Sequence, residues 1–423
     1  MRARFTLIVL VFALLFGSAT PSYTEPVPKV GATCKKVGTT KNYKGKVFTC
    51  KKSGKNLVWS TGRVIKQAAP VPVATASTSP IPKQSPAPVP IPSPTAGVQV
   101  TPSASPKPTP TPTSFENLYE ARAGISYAAW KRTSEIIKNS KSKVGTLEIY
   151  TGPNTKPFFD NYPLALSLIS RAFPDRREPG KILVIRFNYQ DLRWADETLR
   201  QKLSTQDYEH INQAENGRQI TGRCDDRSRN CVGAMQQSTF SGSDIALIVQ
   251  GVPNMMDPYD PTGKARFLTG MLEAHEYFHA LQRVPIMGKS NLWPHAWFRE
   301  GGAEWIQNAA INFDDFPAYR DFIKADCSGQ CMRISEAEII EFLKSAKENY
   351  LPSKFDSWLN YALGSLVVET FVALKGPDSL IELYAQMATK IDFATAFKNM
   401  FGVDWEYAIP IIAKTVHANI NNV

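Results

Sequence analysis

The chain has 423 residues, enough for two or three domains. Hydrophobic residues at 43% and charged residues at 21% are ordinary globular values, which excludes collagen-like, wholly disordered and multi-span membrane classes. The net charge of +11 is not evenly spread: residues 1–115 hold fifteen Lys/Arg against one acid, Glu25, and the rest is slightly acidic. Nucleic acid is therefore not an expected partner of the large C-terminal part, and any polyanion belongs to the front.

Residues 1–24 read as a secretory signal peptide. Arg2 and Arg4 give a positive start, Phe5 to Phe16 is apolar except for Thr6, and Gly17-Ser18-Ala19 supplies small residues for cleavage. The apolar run is short for a membrane span, which needs about 20 residues. A secreted or cell-envelope location follows, and an oxidising compartment suits the cysteines. These fall as Cys34/Cys50, Cys224/Cys231 and Cys327/Cys331. Sequence proximity favours those three local disulfides; zinc binding by Cys327 and Cys331 lacks a nearby second Cys/His pair.

Residues 26–65 form a candidate mini-domain. Gly31 to Cys34, Val47 to Cys50 and Leu57 to Trp59 are its expected short strands, with Asn42 to Gly45 in a turn. A piece this small needs the Cys34–Cys50 bridge to stay folded. Ten Lys/Arg and no acid make it either a binder of an anionic cell-envelope polymer or a solvated spacer. Residues 66–115 are a Pro/Ser/Thr-rich linker: 14 of the 31 prolines lie between Pro70 and Pro112. That composition favours an extended, polyproline-II-like chain.

Residues 116–423 are the expected working domain. A helical pattern runs through about Lys138. Thr146–Tyr150 reads as a strand, 161–172 as a helix, Ile182–Phe187 as a strand and 190–203 as a helix. Residues 206–242 look irregular. Ile245–Val249 is a third strand, and helical periodicity dominates thereafter. The predicted class is α+β: a small N-terminal sheet with helices, then a mainly helical half.

The chemistry concentrates between residues 275 and 304. Gly270 to Gln282 has apolar residues at helical spacing and contains His275-Glu276-Tyr277-Phe278-His279. Positions i and i+4 share a helix face, so two imidazoles can point at one zinc ion. Glu276 sits beside them, placed to accept a proton from a zinc-bound water. Then comes Trp297-Phe298-Arg299-Glu300-Gly301-Gly302-Ala303-Glu304. A catalytic zinc takes three protein ligands and leaves one position open. Glu300 supplies the third, and Glu304, one turn on, can accept the other ring N–H of a ligating histidine. Gly301, Gly302 and Ala303 let this helix approach the first. His295 is the rival third ligand.

His-Glu-x-x-His followed by Trp-x-x-Glu-Gly-x-Ala-Glu resembles the gluzincin metallopeptidases, the clan of thermolysin and the aminopeptidase-N type enzymes. The minimal "peptidase MA-like" members are the nearest in pattern. The resemblance covers roughly residues 240–415. It implies one catalytic Zn2+ held by His275, His279 and Glu300, with Glu276 as general base. The metzincin extension requires Gly and His where the chain has Gln282 and Pro285. Trp358 to Gly364 resembles the clan's Tyr-x-x-Gly segment, which makes Tyr361 the candidate donor to the developing oxyanion. The Gly-x-Met-x-Asn strand that reads a free amino terminus is absent before His275, which points away from exopeptidase action. The strand Ile245–Val249 is then the expected neighbour of an extended peptide substrate. The expected function is a secreted zinc endopeptidase. Its alternatives are a zinc amidase acting on cell-wall peptides and a non-catalytic envelope-binding protein with a degenerate peptidase fold.

Overall fold

The computed structural model describes residues 32–34, 37, 40–43, 46–54, 56–60, 63–64, 111–214, 220, 222–238, 244–255, 261–287, 289, 292–347 and 350–421. The signal-peptide segment and most of the linker lie outside these. The chain divides into two compact units, Met1–Thr101 and Pro102–Val423.

In the first unit, β1 (Thr40–Tyr43), β2 (Lys46–Ser53) and β3 (Asn56–Trp59) form an antiparallel meander, with β4 (Arg63–Val64) also on β2. Phe48, Cys50 and Trp59 are its buried core, packed by Cys34 and Leu57. The Cys34–Cys50 disulfide is present. Cys34 is hydrogen-bonded through its N–H to the Leu57 carbonyl (3.0 Å), so the first expected strand docks on β3. Three apolar side chains cannot hold so small a sheet by burial alone, which is why a cross-link matters here.

The second unit is mixed α and β, and mostly helical. Its described part starts earlier than expected. Phe115, placed at the linker's end by composition, is buried against Phe397 and Phe401, with ring centroids 5.6 Å apart in each case. Residues 114–121 are turns, and α1 begins only at Ile125, running to Asn139. Next come β5 (Thr146–Thr151), α2 (Tyr162–Ala172), β6 (Lys181–Phe187) and α3 (Leu192–Lys202). The expected irregular stretch holds α4 (Thr205–Ala214), the short pair β7 (Cys224–Asp225) and β8 (Asn230–Cys231), and β9 (Ala234–Ser238). The Cys224–Cys231 disulfide ties β7 to β8.

β10 (Ile245–Gly251) completes a sheet of order β5-β6-β10-β9. The first three strands are parallel, and β9 runs antiparallel to β10. The stretch Ile182 to Ile185 of β6 is continuously apolar and buried because both faces are covered. Ile182 and Val184 enter the main core with Ala246 and Ile248. Leu183, Ile185 and Phe187 enter a second core with Leu199 of α3 and Ile211 of α4. β10 is therefore an interior strand, paired by β6 on one side and β9 on the other. A peptide cannot add to it, which overturns the expectation for Ile245–Val249.

The helical half runs α5 (Pro261–Thr269), α6 (Met271–Arg283), α7 (Ala296–Ile311), α8 (Phe316–Asp326) and α9 (Glu336–Ser345). It ends with α10 (Ala362–Lys375), α11 (Ser379–Met387), α12 (Phe393–Phe401) and α13 (Trp405–Ile420). The Cys327–Cys331 disulfide closes the loop after α8. All three local pairings are thus present. Trp297 of α7 is central to this half, stacked on Trp405 (5.7 Å) and edge-on to Phe371 and Phe393. Ser357–Lys375 is long and apolar enough to cross a membrane by length and composition. Its α10 residues from Ala362 to Ala373 are all buried in this core, which accounts for that composition.

Candidate metal centre

Two central helices build the site, each anchored by what its sequence permits. α6 starts at Gly270, whose φ of 90° is left-handed; an added Cβ would also stand 2.7 Å from the Phe159 ring. Glycine alone enters that conformation without strain. Ala274, Tyr277, Phe278 and Leu281 turn into the core. Each large one contributes roughly 1.5–3 kcal/mol by burial, which fixes the rotation of the helix about its axis. The opposite side then carries His275 and His279.

α7 lies between α6 and α10. A Cβ on Gly302 would touch Gln282 Nε2 at 3.2 Å, on the α6 side. A Cβ on Gly301 would lie 2.3 Å from the Gly364 backbone, on the α10 side. The two adjacent glycines therefore serve different neighbours, not the first helix alone. Their joint effect is to bring Glu300 to the histidines.

Glu300 Oε2 stands 3.2 Å from His279 Nε2 and 3.6 Å from His275 Nε2. Ligand atoms of the three residues all lie within 4.8 Å of one another. Tetrahedral coordination at N/O–metal distances near 2.0–2.1 Å spaces neighbouring donors by about 3.3 Å. The set His275, His279, Glu300 could therefore hold a metal ion. The remaining ring nitrogens are held from behind. His279 Nδ1 meets Gln282 Oε1 at 2.8 Å, and Gln282 Nε2 donates to the Arg299 carbonyl at 3.0 Å. That donation fixes the amide's orientation, so Nδ1 carries the proton and Nε2 presents its lone pair. His275 Nδ1 faces Glu304 Oε2 at 3.6 Å, an oxygen that is buried and otherwise has no hydrogen-bond partner.

The same contacts set the charges of the cluster. Burial pulls His275 down to about 4, against the raising effect of Glu300. Burial also lowers His279, but Glu300 and Glu276 outweigh it and leave its value raised. Burial raises Glu300, yet His279, His275 and Arg299 together hold it well below the usual carboxylate range. Burial pushes Glu304 upward, Arg266 opposes it, and Asp326 adds to the rise.

Every candidate but one joins the cluster. Glu276 is buried beside the ligands, and its charge is felt by both His279 and Tyr361. The Tyr361 ring stacks on His275 at 5.9 Å, which places it beside the cluster. Burial, then the Glu300 and Glu276 charges, hold that phenol above its ordinary value. His295 is excluded. It packs on Trp297 and Phe393, and its Nδ1 is buried without a partner, outside the metal-ligand set.

No family model, curated protein or solved structure matches the chain.

Sequence reasoning missed two supports. Gln282 lies three residues after His279 on the same face, a spacing that could have marked it as the ring's orienting partner. Arg266 of α5 donates to Glu304 and to Asp326 (2.7 Å to the latter), and sits over Trp358 at 4.8 Å. Trp358 in turn stacks on Tyr361 at 4.7 Å. No spacing rule links residues 266, 304, 326 and 358.

Proposed function

We propose that the chain is an exported zinc-dependent endopeptidase of the gluzincin type, with His275, His279 and Glu300 as ligands. The observation that carries this reading is the convergence of two imidazole Nε2 atoms on one half-buried carboxylate, with each Nδ1 faced by an acceptor. The neutral nitrogen donors and single carboxylate suit zinc among the common ions. A bound zinc ion supplies Lewis-acid polarisation of a carbonyl and lowers the pKa of a water in the site to about 7.

The chain's own residues supply the rest. Glu276 takes a proton from the attacking water as its oxygen bonds to the carbonyl carbon. When the C–N bond breaks, Glu276 returns that proton to the leaving amine nitrogen. Tyr361 donates its hydroxyl to the oxyanion formed between those two events. The far edge of β9, the strand next to α6, has no strand partner among the described residues. An extended peptide can pair there through its backbone, the role withdrawn from β10. In the front unit, Lys51 and Lys52 are exposed on β2, which supports contact with an anionic envelope polymer.

Metal analysis and a peptide library read by mass spectrometry test this reading. Wild-type protein should hold one zinc and cleave internal bonds. Glu276→Gln should keep the zinc and lose roughly 10²–10⁴-fold in turnover. Glu300→Ala should lose the zinc. Wild-type turnover by Glu276→Gln would remove the general-base assignment. Unchanged zinc affinity in Glu300→Ala would remove the ligand assignment.

A further inference from the structure

The stripe of polar residues on α6 continues past His279. Residues 275, 279 and 283 are each four apart and share one helix face. Arg283 therefore stands one turn, about 5.4 Å along the axis, beyond the second imidazole. Its guanidinium is half-buried over the Trp293 indole, 5.6 Å from the ring centroid. Arg176, Arg266 and Arg299 each meet a carboxylate within 3.0 Å. Arg283 meets none among the described residues. Burial alone draws it down to about 10, so it remains a cation at neutral pH. A desolvated cation without a counter-charge is costly in the free protein and is matched by an anionic ligand.

Its surroundings share that sign. The Arg299 guanidinium lies over the same indole at 5.4 Å, while its Nε donates to Glu300 Oε1 at 3.0 Å. That contact joins the indole to the metal-ligand set. Trp293 also walls a cavity of about 520 Å³, together with His295, Lys347, Lys390 and Phe393. Asp392, the one carboxylate on that wall among the described residues, accepts from the Thr395 N–H at 2.7 Å and so caps α12.

We infer that Arg283 and Arg299, over the Trp293 indole, form a carboxylate-binding subsite beside the His275/His279/Glu300 cluster. It rests on the peptidase reading for the class of ligand, a peptide. The charge it takes is an Asp or Glu side chain, or the carboxylate at a peptide's C-terminus. The guanidinium fork suits a carboxylate because two parallel N–H donors match its two oxygens.

The test uses full-length, zinc-loaded Glu276→Gln protein, immobilised and equilibrated with a soluble library of matched peptides. The pairs are Asp against Asn, Glu against Gln, and free against amidated C-termini. Bound peptides are quantified by mass spectrometry. The expected result is at least tenfold enrichment of the carboxylate member, and which pairs respond tells a side chain from a terminus. Adding Arg283→Gln should bring the ratio close to one, with zinc content unchanged. Adding Arg283→Lys should keep part of it, which separates loss of charge from loss of fold. Equal capture of both members, no capture, or enrichment that survives Arg283→Gln overturns the inference. Because binding is read without turnover, a wild-type protein that cleaves nothing would end the peptidase reading alone.

Discussion

Arg266 reaches the His275/His279/Glu300 cluster through a single intervening carboxylate. It is buried between Glu304 and Asp326, and Glu304 faces His275 Nδ1. Arg266→Met would leave two carboxylates buried without their cation, at a cost of about 3–5 kcal/mol. Zinc affinity should also fall roughly 10–100-fold, since His275 loses a fixed partner. Denaturant unfolding and chelator competition measure the two effects; unchanged values in both would show that the ion pair is idle. Glu369 offers a second test away from the metal. It accepts from Tyr319 and from Ser126 Oγ (2.9 Å), and burial raises its carboxyl although Tyr319, Arg320 and Ser126 oppose the rise. A carboxyl raised on folding contributes stability that is complete below its unfolded value, about 4.3, and lost as pH climbs through the folded value. Melting temperatures of Glu369→Gln should therefore decline less steeply with rising pH above about 4.3 than those of wild type. Parallel curves would refute the assignment.

At the scale of elements, the crossing of α7 and α10 sets the depth of Glu300. The helices meet at Gly301 and Gly364, where a Cβ on Gly364 would stand 2.5 Å from the Trp297 carbonyl oxygen. Backbone cannot swing aside as a side chain can. Gly364→Ala should cost about 1–3 kcal/mol through forced separation of the helices. It should also weaken metal binding, because α7 carries Glu300 and the separation is along that contact. Equilibrium unfolding and zinc titration on the same variant check both. Loss of stability with unaltered zinc affinity would mean that α7 and α6 move as one block.

For the whole molecule, the decisive boundary is that of the second unit. Phe115 and Leu118 are buried in its main core, although no α-helix begins until Ile125 among the described residues. A fragment of residues 111–423 should match the full chain in melting temperature and zinc stoichiometry. A fragment of residues 119–423 should melt lower by an amount equivalent to several kcal/mol, since it loses two core side chains. Equal melting of the two fragments would place the boundary after Leu118.

The amino-acid sequence by itself determined the mixed class, the helix carrying His275 and His279, the strands β5, β6 and β10, and the three disulfide pairs. Each of these is written in short-range periodicity or spacing: 3.6 residues per turn, apolar runs, neighbouring cysteines. His275, His279, Glu300 and Glu304 were legible for the same reason, because i and i+4 positions share a face and the second carboxylate lies one turn from the first. Strand neighbours were not legible. β9 follows the Cys224/Cys231 loop in a weakly patterned segment, and only its pairing with β10 shows that Ile245–Val249 is interior. The same limit hid the contacts of Arg266 and the lack of a carboxylate partner for Arg283 among the described residues, and left His295 as a rival to Glu300. Long-range contacts among residues tens of positions apart carry no local periodicity, so only the packing of α5, α6, α7 and α10 around one another decided them.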